Sequence, residues 1–326
     1  MRRRSFLAGA ATLGAVLPSL AQTGVAMRRI GVLANNPPSM PVAAPLYAAF
    51  YAGLNERGLV EGRNLLIEGR YAAGRGERFA EFAAELVALD VEVIVVLAGT
   101  LATQAAKHAT SKIPIVFAGV GDAVGLGLVE SLAHPGGNLT GVTYESVVEK
   151  HVDLLRAFVP NLERIGSIWD SSNPGGVLWQ KDLDAAAPPL GLAVVSVPLD
   201  TPGDLGRVFA NVRETRPQAL IIPQTNAVAR VHKEIAAFAI AERLPTITTS
   251  NLFAREGMLM SYGWDLGSIW RLAAHYTDQL LRGAKVADLP VQLPTRYELV
   301  LNLRTARALG LDISPFLLAR ADEVIE

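Results

Sequence analysis

Short apolar runs alternate with amphipathic stretches along most of this chain, and the alternation predicts its architecture. Residues 29–34 have an apolar centre that suits a strand. Residues 45–57 have helical spacing and are closed by Gly58. Residues 64–71 predict a second strand. Between residues 76 and 89, Phe79, Phe82, Ala83, Leu86 and Val87 fall on one helical face. Residues 91–98 are β-branched and apolar almost throughout, the pattern of a strand buried on both sides. A helix over 100–110, a strand over 113–118 and a short helix over 125–132 follow.

Past Thr143 the pattern resumes. Val148, Val152, Leu155 and Val159 make a helical face that stops before Pro160. Strands over 165–169, 192–197 and 219–222 alternate with helices over 176–190, 203–215 and 226–243. The last of these carries Val231, Ile235, Phe238 and Ala239 inward. Short strands over 245–248 and 258–261 precede a helix over 266–282. Residues 283–290 read as a linker, and a strand over 294–303 with a helix after it closes the chain.

Alternation of this kind means parallel sheets with helices on both faces. At 326 residues, two sheets of about five strands are favoured over one of ten. The expected class is therefore α/β, with two doubly wound parallel-sheet lobes and a ligand cleft between them. The turn-rich Pro135-Gly136-Gly137-Asn138 marks the break. Such sheets bind ligands beyond the carboxyl ends of their strands.

Composition narrows the function. Half the residues are apolar and 19% are charged. Residues 1–21 read as a twin-arginine export signal: Arg2, Arg3 and Arg4, an uncharged stretch from Phe6 to Leu17, then Pro18 and a cleavage site at Ser19-Leu20-Ala21. Cleavage after Ala26 is the second candidate, and an ordinary Sec signal the simpler alternative. Either signal predicts a periplasmic protein. Beyond Ala21 the chain holds 27 basic and 31 acidic residues, a net −4, without basic runs. That is a poor match for nucleic acid or an anionic membrane. No second apolar segment is long enough to cross a bilayer. The absence of Cys removes disulfides, thiol catalysis, Cys-zinc sites and a lipoprotein-type anchor together.

The loops expected after successive strands carry small polar residues. They are Asn35-Asn36, Gly99-Thr100 and Gly119-Val120-Gly121-Asp122, then Asp170-Ser171-Ser172-Asn173, Gln224-Thr225-Asn226, Thr249-Ser250-Asn251 and Tyr262-Gly263-Trp264-Asp265. Each alone reads as an ordinary turn or helix cap. Together they place hydroxyls and backbone N–H groups along one edge, a setting for a carboxylate or phosphate. Catalytic patterns are absent: no Gly-x-Ser-x-Gly elbow, no paired metal-binding histidines and no Walker lysine. Gly119-Val120-Gly121 begins a dinucleotide loop, but Val124 stands where the third glycine belongs. No cofactor is expected.

Four segments carry a family resemblance. Ile113-Pro114-Ile115-Val116-Phe117 runs into Gly121-Asp122-Ala123-Val124-Gly125. His134-Pro135-Gly136-Gly137-Asn138-Leu139-Thr140-Gly141 follows. Met258-Leu259-Met260-Ser261-Tyr262-Gly263 precedes the late helix. Leu289-Pro290-Val291-Gln292, Leu301-Asn302-Leu303 and Ala308-Leu309-Gly310-Leu311 close the chain. From Arg28 to Glu326 the sequence resembles ABC-transporter substrate-binding proteins of the tryptophan/tyrosine-binding type.

The resemblance implies a type I periplasmic-binding-protein fold, with residues 22–143 plus 264–290 in one lobe and 144–263 plus 291–326 in the other. It implies a monomer that captures a small polar solute, an amino acid of a kind that in known family members includes aromatic ones, and hands it to an inner-membrane ABC permease. The implied ligand-binding residues are Asn35, Asn36, Thr100, Asp122, Asp170, Ser171, Ser172, Thr225, Asn226, Ser250 and Tyr262. Asp122 or Asp170 offers a carboxylate to an α-ammonium, and Tyr47 or Tyr262 a ring for stacking. Ala123 departs from the family's usual Pro, and Thr248-Thr249-Ser250-Asn251 replaces a Tyr-Gly segment followed by an aromatic, so the ligand need not be that of better-known members. The competing class is a twin-arginine-exported oxidoreductase with a nucleotide or flavin cofactor, which needs a complete nucleotide fingerprint. A sensory module needs a tethering helix or signalling domain that the chain does not contain.

Overall fold

The computed structural model describes residues 27–41 and 43–326, so the export-signal reading lies outside the described residues. The first sheet is entirely parallel. It holds β1 (Arg28–Ala34), β2 (Leu65–Tyr71), β3 (Val93–Leu97), β4 (Ile115–Gly121) and β5 (Leu139–Tyr144), in the order β2-β1-β3-β4-β5. Helices α1 (Ala44–Asn55), α2 (Phe79–Ala88) and α3 (Gly99–Ala109) connect its strands. Val93–Leu97 is buried at every position, as a β-branched run covered on both faces must be.

The second sheet has seven strands rather than five. They are β6 (Arg164–Asp170), β7 (Ala193–Leu199), β8 (Ala219–Ile222), β9 (Thr246–Thr248), β10 (Met260–Trp264), β11 (Tyr297–Asn302) and β12 (Glu323–Ile325). Their order is β12-β11-β10-β9-β8-β6-β7. The sheet is not uniformly parallel, because β11 runs antiparallel to β10 and β12 follows β11. Around it stand α4 (Val148–Arg156), α5 (Pro174–Ala186), α6 (Leu205–Thr215), α7 (Asn226–Ala229), α8 (His232–Ala241), α9 (Asn251–Arg255), α11 (Leu303–Leu309) and α12 (Pro315–Leu318).

One helix belongs to the first sheet although it lies late in the chain. In α10 (Leu266–Leu281), Asp265 caps the start by accepting from the Ser268 N–H at 3.1 Å. Ile269, Trp270, Ala273, Ala274, Tyr276, Leu280 and Leu281 form its buried stripe. The stripe packs on α1, β3, β4 and β5. There it joins Phe50, Leu54, Val95 and Val116 in one core, while α2 covers the opposite face through Phe79, Phe82 and Leu86 and α3 through Ala102 and Ala106. Each fully buried side chain of this size contributes about 1.5–3 kcal/mol. Among the described residues no helix is long and apolar enough to cross a membrane.

Three expectations are corrected. Residues 125–132 form turns, not a helix: Asp122 Oδ1 accepts from the Gly125 N–H at 2.8 Å, and the Leu128 and Val129 N–H groups both turn back to the Ala123 carbonyl. The helix expected over 226–243 is two, because Val231 leaves the helical region and the His232 ring sits 2.8 Å from the Ala229 carbonyl. The turn at 135–138 does not end the first lobe; it leads into β5, that sheet's last strand.

Candidate functional site

The carboxyl ends of the two sheets border a cavity of about 960 Å³, at the upper end for small-molecule sites. Asn35 and Asn36 line it beyond β1, Thr100 in the first turn of α3, Asp122 beyond β4 and Tyr144 at the end of β5. Facing them are Asn173, Trp179 and Asp182 around α5, Thr225 and Asn226 at the start of α7, Ser250 before α9 and Trp264 at the end of β10. The rims of the two lobes touch. Asn226 Nδ2 donates to Asn35 Oδ1 at 2.9 Å. Gly175 comes so close to Thr100 that a Cβ there would stand 2.7 Å from Oγ1.

An aromatic pair forms part of the wall. The rings of Tyr144 and Trp264 are stacked, 3.6 Å between centroids and 20° apart in plane. Tyr144 also lies against Gly119 and Gly121, whose added Cβ atoms would stand 3.3 and 3.5 Å from its ring carbons. The Gly-Val-Gly segment therefore makes room for a ring rather than a phosphate. Burial pushes the Tyr144 hydroxyl up to about 12. Both aromatics sit where the chain leaves a sheet, Tyr144 at the first passage and Trp264 at the second. A third passage runs beside them: the Gln292 N–H donates to the Gly141 carbonyl and the Asp265 N–H to the Arg296 carbonyl, at 3.0 and 3.2 Å.

The cavity's charge is mostly negative. Asp122, Glu145, Asp182, Asp265 and Glu298 line it, and among the described lining residues Arg255 is the cation. Arg255 is engaged by Glu323 through Nη2 at 2.6 Å and Nε at 3.0 Å. The Asp182 carboxyl is held above the usual range, first by burial and then by the negative charge of Asp122, with Lys181 opposing. Glu298 is raised by burial and then by Asp265, although it also accepts from Asn251 Nδ2 at 2.6 Å. Positive potential comes from backbone: α3 begins without a side-chain cap, so its first-turn N–H groups lack a side-chain acceptor.

Of the residues expected from sequence, Asn35, Asn36, Thr100, Asp122, Thr225, Asn226 and Ser250 line the cavity. Four do not. Asp170 is 1% exposed and structural: Oδ1 accepts from the Ser172 N–H and hydroxyl at 3.1 and 2.6 Å, and Oδ2 from the Ala227 N–H at 3.1 Å. Ser172 is spent on that contact, and the Ser171 hydroxyl donates to Asp200. The Tyr262 ring stacks on Tyr297 instead, 5.8 Å between centroids. Its carbonyl accepts from Nε2 of the fully buried His151 at 2.7 Å, and burial holds that imidazole down to about 4. Tyr47 is buried and donates to the Asn36 carbonyl at 2.9 Å. Sequence reasoning missed Tyr144, Trp179, Asp182 and Trp264. A bulky aromatic at the last position of a strand, as in Thr143-Tyr144 and Gly263-Trp264, was the available signal for two of them.

Known proteins share this fold. The profile of the family described as ABC transporter substrate binding protein matches residues 39–325. The tyrosine-binding protein of Clostridioides difficile (strain R20291) is 25% identical over 262 residues, 80% of this chain and 75% of that protein. An ABC domain in complex with L-Trp from Streptococcus pneumoniae superposes with a TM-score of 0.85 at 27% identity, covering 92% of this chain and all of that one. A conserved domain protein from Vibrio cholerae O1 biovar eltor also scores 0.85, at 28% identity over 91% of this chain and 99% of its own. More distant neighbours at 13–15% identity share the type I periplasmic binding fold alone, among them a myo-inositol-bound protein from Bacillus halodurans and a leucine-binding protein from Thermotoga maritima. Two α/β lobes around an aromatic-walled cavity, with a family match over most of the sequence, place this chain in the ABC transporter substrate-binding protein family.

Proposed function

We propose that this chain is the exported solute receptor of an ABC importer and that its solute is an aromatic amino acid. The wall of the cavity carries the reading. Trp179, Trp264, Trp270 and Tyr144 supply aromatic surface for a ring, of which a well-placed aromatic pair is worth about 0.5–1.5 kcal/mol beyond area burial. The uncapped start of α3 suits a carboxylate. Asp122 suits an ammonium, and Asn35, Asn36, Thr100, Thr225, Asn226 and Ser250 provide neutral hydrogen bonds around it. The relatives' tyrosine and L-Trp support the same ligand class. Capture between lobes requires no chemical step, and an inner-membrane permease would receive the solute from a monomeric, periplasmic carrier.

Thermal unfolding across the common amino acids tests this. At a concentration one hundred times Kd, a true ligand stabilises the folded form by about 2.7 kcal/mol. Either L-tryptophan or L-tyrosine should raise the midpoint by several degrees. Stabilisation by a different solute class, with no response to any amino acid, refutes the assignment.

A further inference from the structure

We propose that the ligand's positive charge holds the two lobes together, its ammonium lying between Asp122 of the first lobe and Asp182 of the second. This rests on the amino-acid reading above and assigns Asp182 a role that the sequence did not suggest.

Four observations converge. Both carboxylates line the same cavity but come from opposite sides, one beyond β4 and the other on α5. Neither has an ion-pair partner among the described residues. The rims of the lobes touch at Asn35–Asn226, and across the shared cavity the charge of Asp122 is felt at Asp182. Independently, Trp179 lies one helical turn before Asp182 on the same side of α5. It lines the same cavity, is 8% exposed and has an Nε1–H without a partner. An indole wall next to an unpaired carboxylate matches a ligand with an apolar ring and a cationic group.

The electrostatics set the direction. Two facing carboxylates repel, and the repulsion grows as water leaves the closing cleft. Burial first, and then the negative charge of Asp122, already disfavour the ionised form of Asp182, and neighbouring Lys181 offsets this only in part. A cation placed between them turns a repulsive contact into an attractive one. A solute with the same ring and carboxylate but no ammonium would leave the repulsion in place. Asp182 would then act as a charge filter applied at closure.

The test is a protein–ligand cycle read by titration calorimetry, with small-angle scattering reporting closure. The probes are L-tryptophan and 3-indolepropionate, which lacks only the ammonium. In the wild type, L-tryptophan should bind at least tenfold more tightly and reduce the radius of gyration, whereas 3-indolepropionate should not reduce it. Asp182→Asn should weaken L-tryptophan at least tenfold, while 3-indolepropionate should bind more tightly and begin to reduce the radius of gyration, because the repulsion it could not offset is gone. Retained binding of 3-indolepropionate shows that the variant is folded, and Asp122→Asn should give the same signature from the other lobe. Equal losses for both probes, or closure of the wild type by 3-indolepropionate as complete as by L-tryptophan, overturn the proposal. If neither L-tryptophan nor L-tyrosine binds the wild type, the amino-acid reading falls and this inference falls with it.

Discussion

His151 should make the stability of this protein depend on pH in a way that one substitution removes. Its ring is fully buried beside Trp179, with Nε2 donating to the Tyr262 carbonyl and Nδ1 unpartnered. Burial holds its pKa at about 4, against 6.5 for the free side chain. Between these values the unfolded chain takes up a proton that the folded chain refuses. Stability therefore falls as pH drops through 6.5 and levels off below 4. With those two values, lowering pH from 7 to 5 removes about 2 kcal/mol, and the full effect is about 3 kcal/mol. Urea unfolding at pH 7, 6 and 5 measures it. His151→Gln keeps an N–H donor for the Tyr262 carbonyl but has no titrating group, so other ionisations cancel in the difference between the proteins. The wild type should lose about 2 kcal/mol more than the variant over this range. Parallel pH profiles would refute the reasoning, and so would an imidazole that titrates near 6.5 by NMR in the folded protein.

Three further outcomes follow from packing and contact. Gly141→Ala should cost about 1–3 kcal/mol or more in chemical denaturation, since its Cβ would stand 2.0 Å from the Phe117 carbonyl oxygen of the neighbouring strand; unchanged stability would mean that β4 and β5 can separate. Asn35→Ala should weaken ligand binding about fivefold by removing the Asn226–Asn35 hydrogen bond between lobes, and Asn226→Ala should add little to it in calorimetry; full additivity would show that the contact does not act as a pair. Trp264→Ala should lower stability by about 3–5 kcal/mol, measured by thermal unfolding, because it empties one half of the stack with Tyr144; a loss under about 1 kcal/mol would show that the pair is dispensable.

The fold was legible where local pattern and tertiary role coincide. The run at 93–97 has no polar residue and is buried throughout, so the reading of a covered strand needed nothing else. Reading failed where a side chain replaced the backbone's own pattern. Apolar spacing over 125–132 looked helical, but the carboxylate of Asp122 takes the Gly125 N–H and turns the chain. The seventh strand and the reversal of β11 depend on pairing between segments far apart, which periodicity does not record. The polar loops at the cavity rim were legible because doubly wound topology sends strand ends to one edge. Asp170 was placed among them by the same logic, yet its carboxylate faces back to the Ala227 amide. Asp182 sits in mid-helix, where an acidic residue ordinarily means solvent, and only the opposing lobe gives it another meaning.

The position of α10 has a consequence for the order in which the molecule can be made. The face of the first sheet that carries Val95 and Val116 shares its core with Phe50 and Leu54 of α1 and is completed by residues 266–281, near the far end of the chain. A nascent polypeptide that has emerged only as far as β10 holds α1 and every strand of that sheet, yet lacks the helix that packs over β3, β4 and β5 on one side. Contacts of such long range are slow to form and leave apolar surface in view of other chains meanwhile. The second sheet waits as well, since β11 pairs with β10 only after α10 has crossed back. Neither lobe can mature before its partner is almost complete, which makes the assembly a single late event, and a chain ending before Leu266 should aggregate rather than yield one folded half.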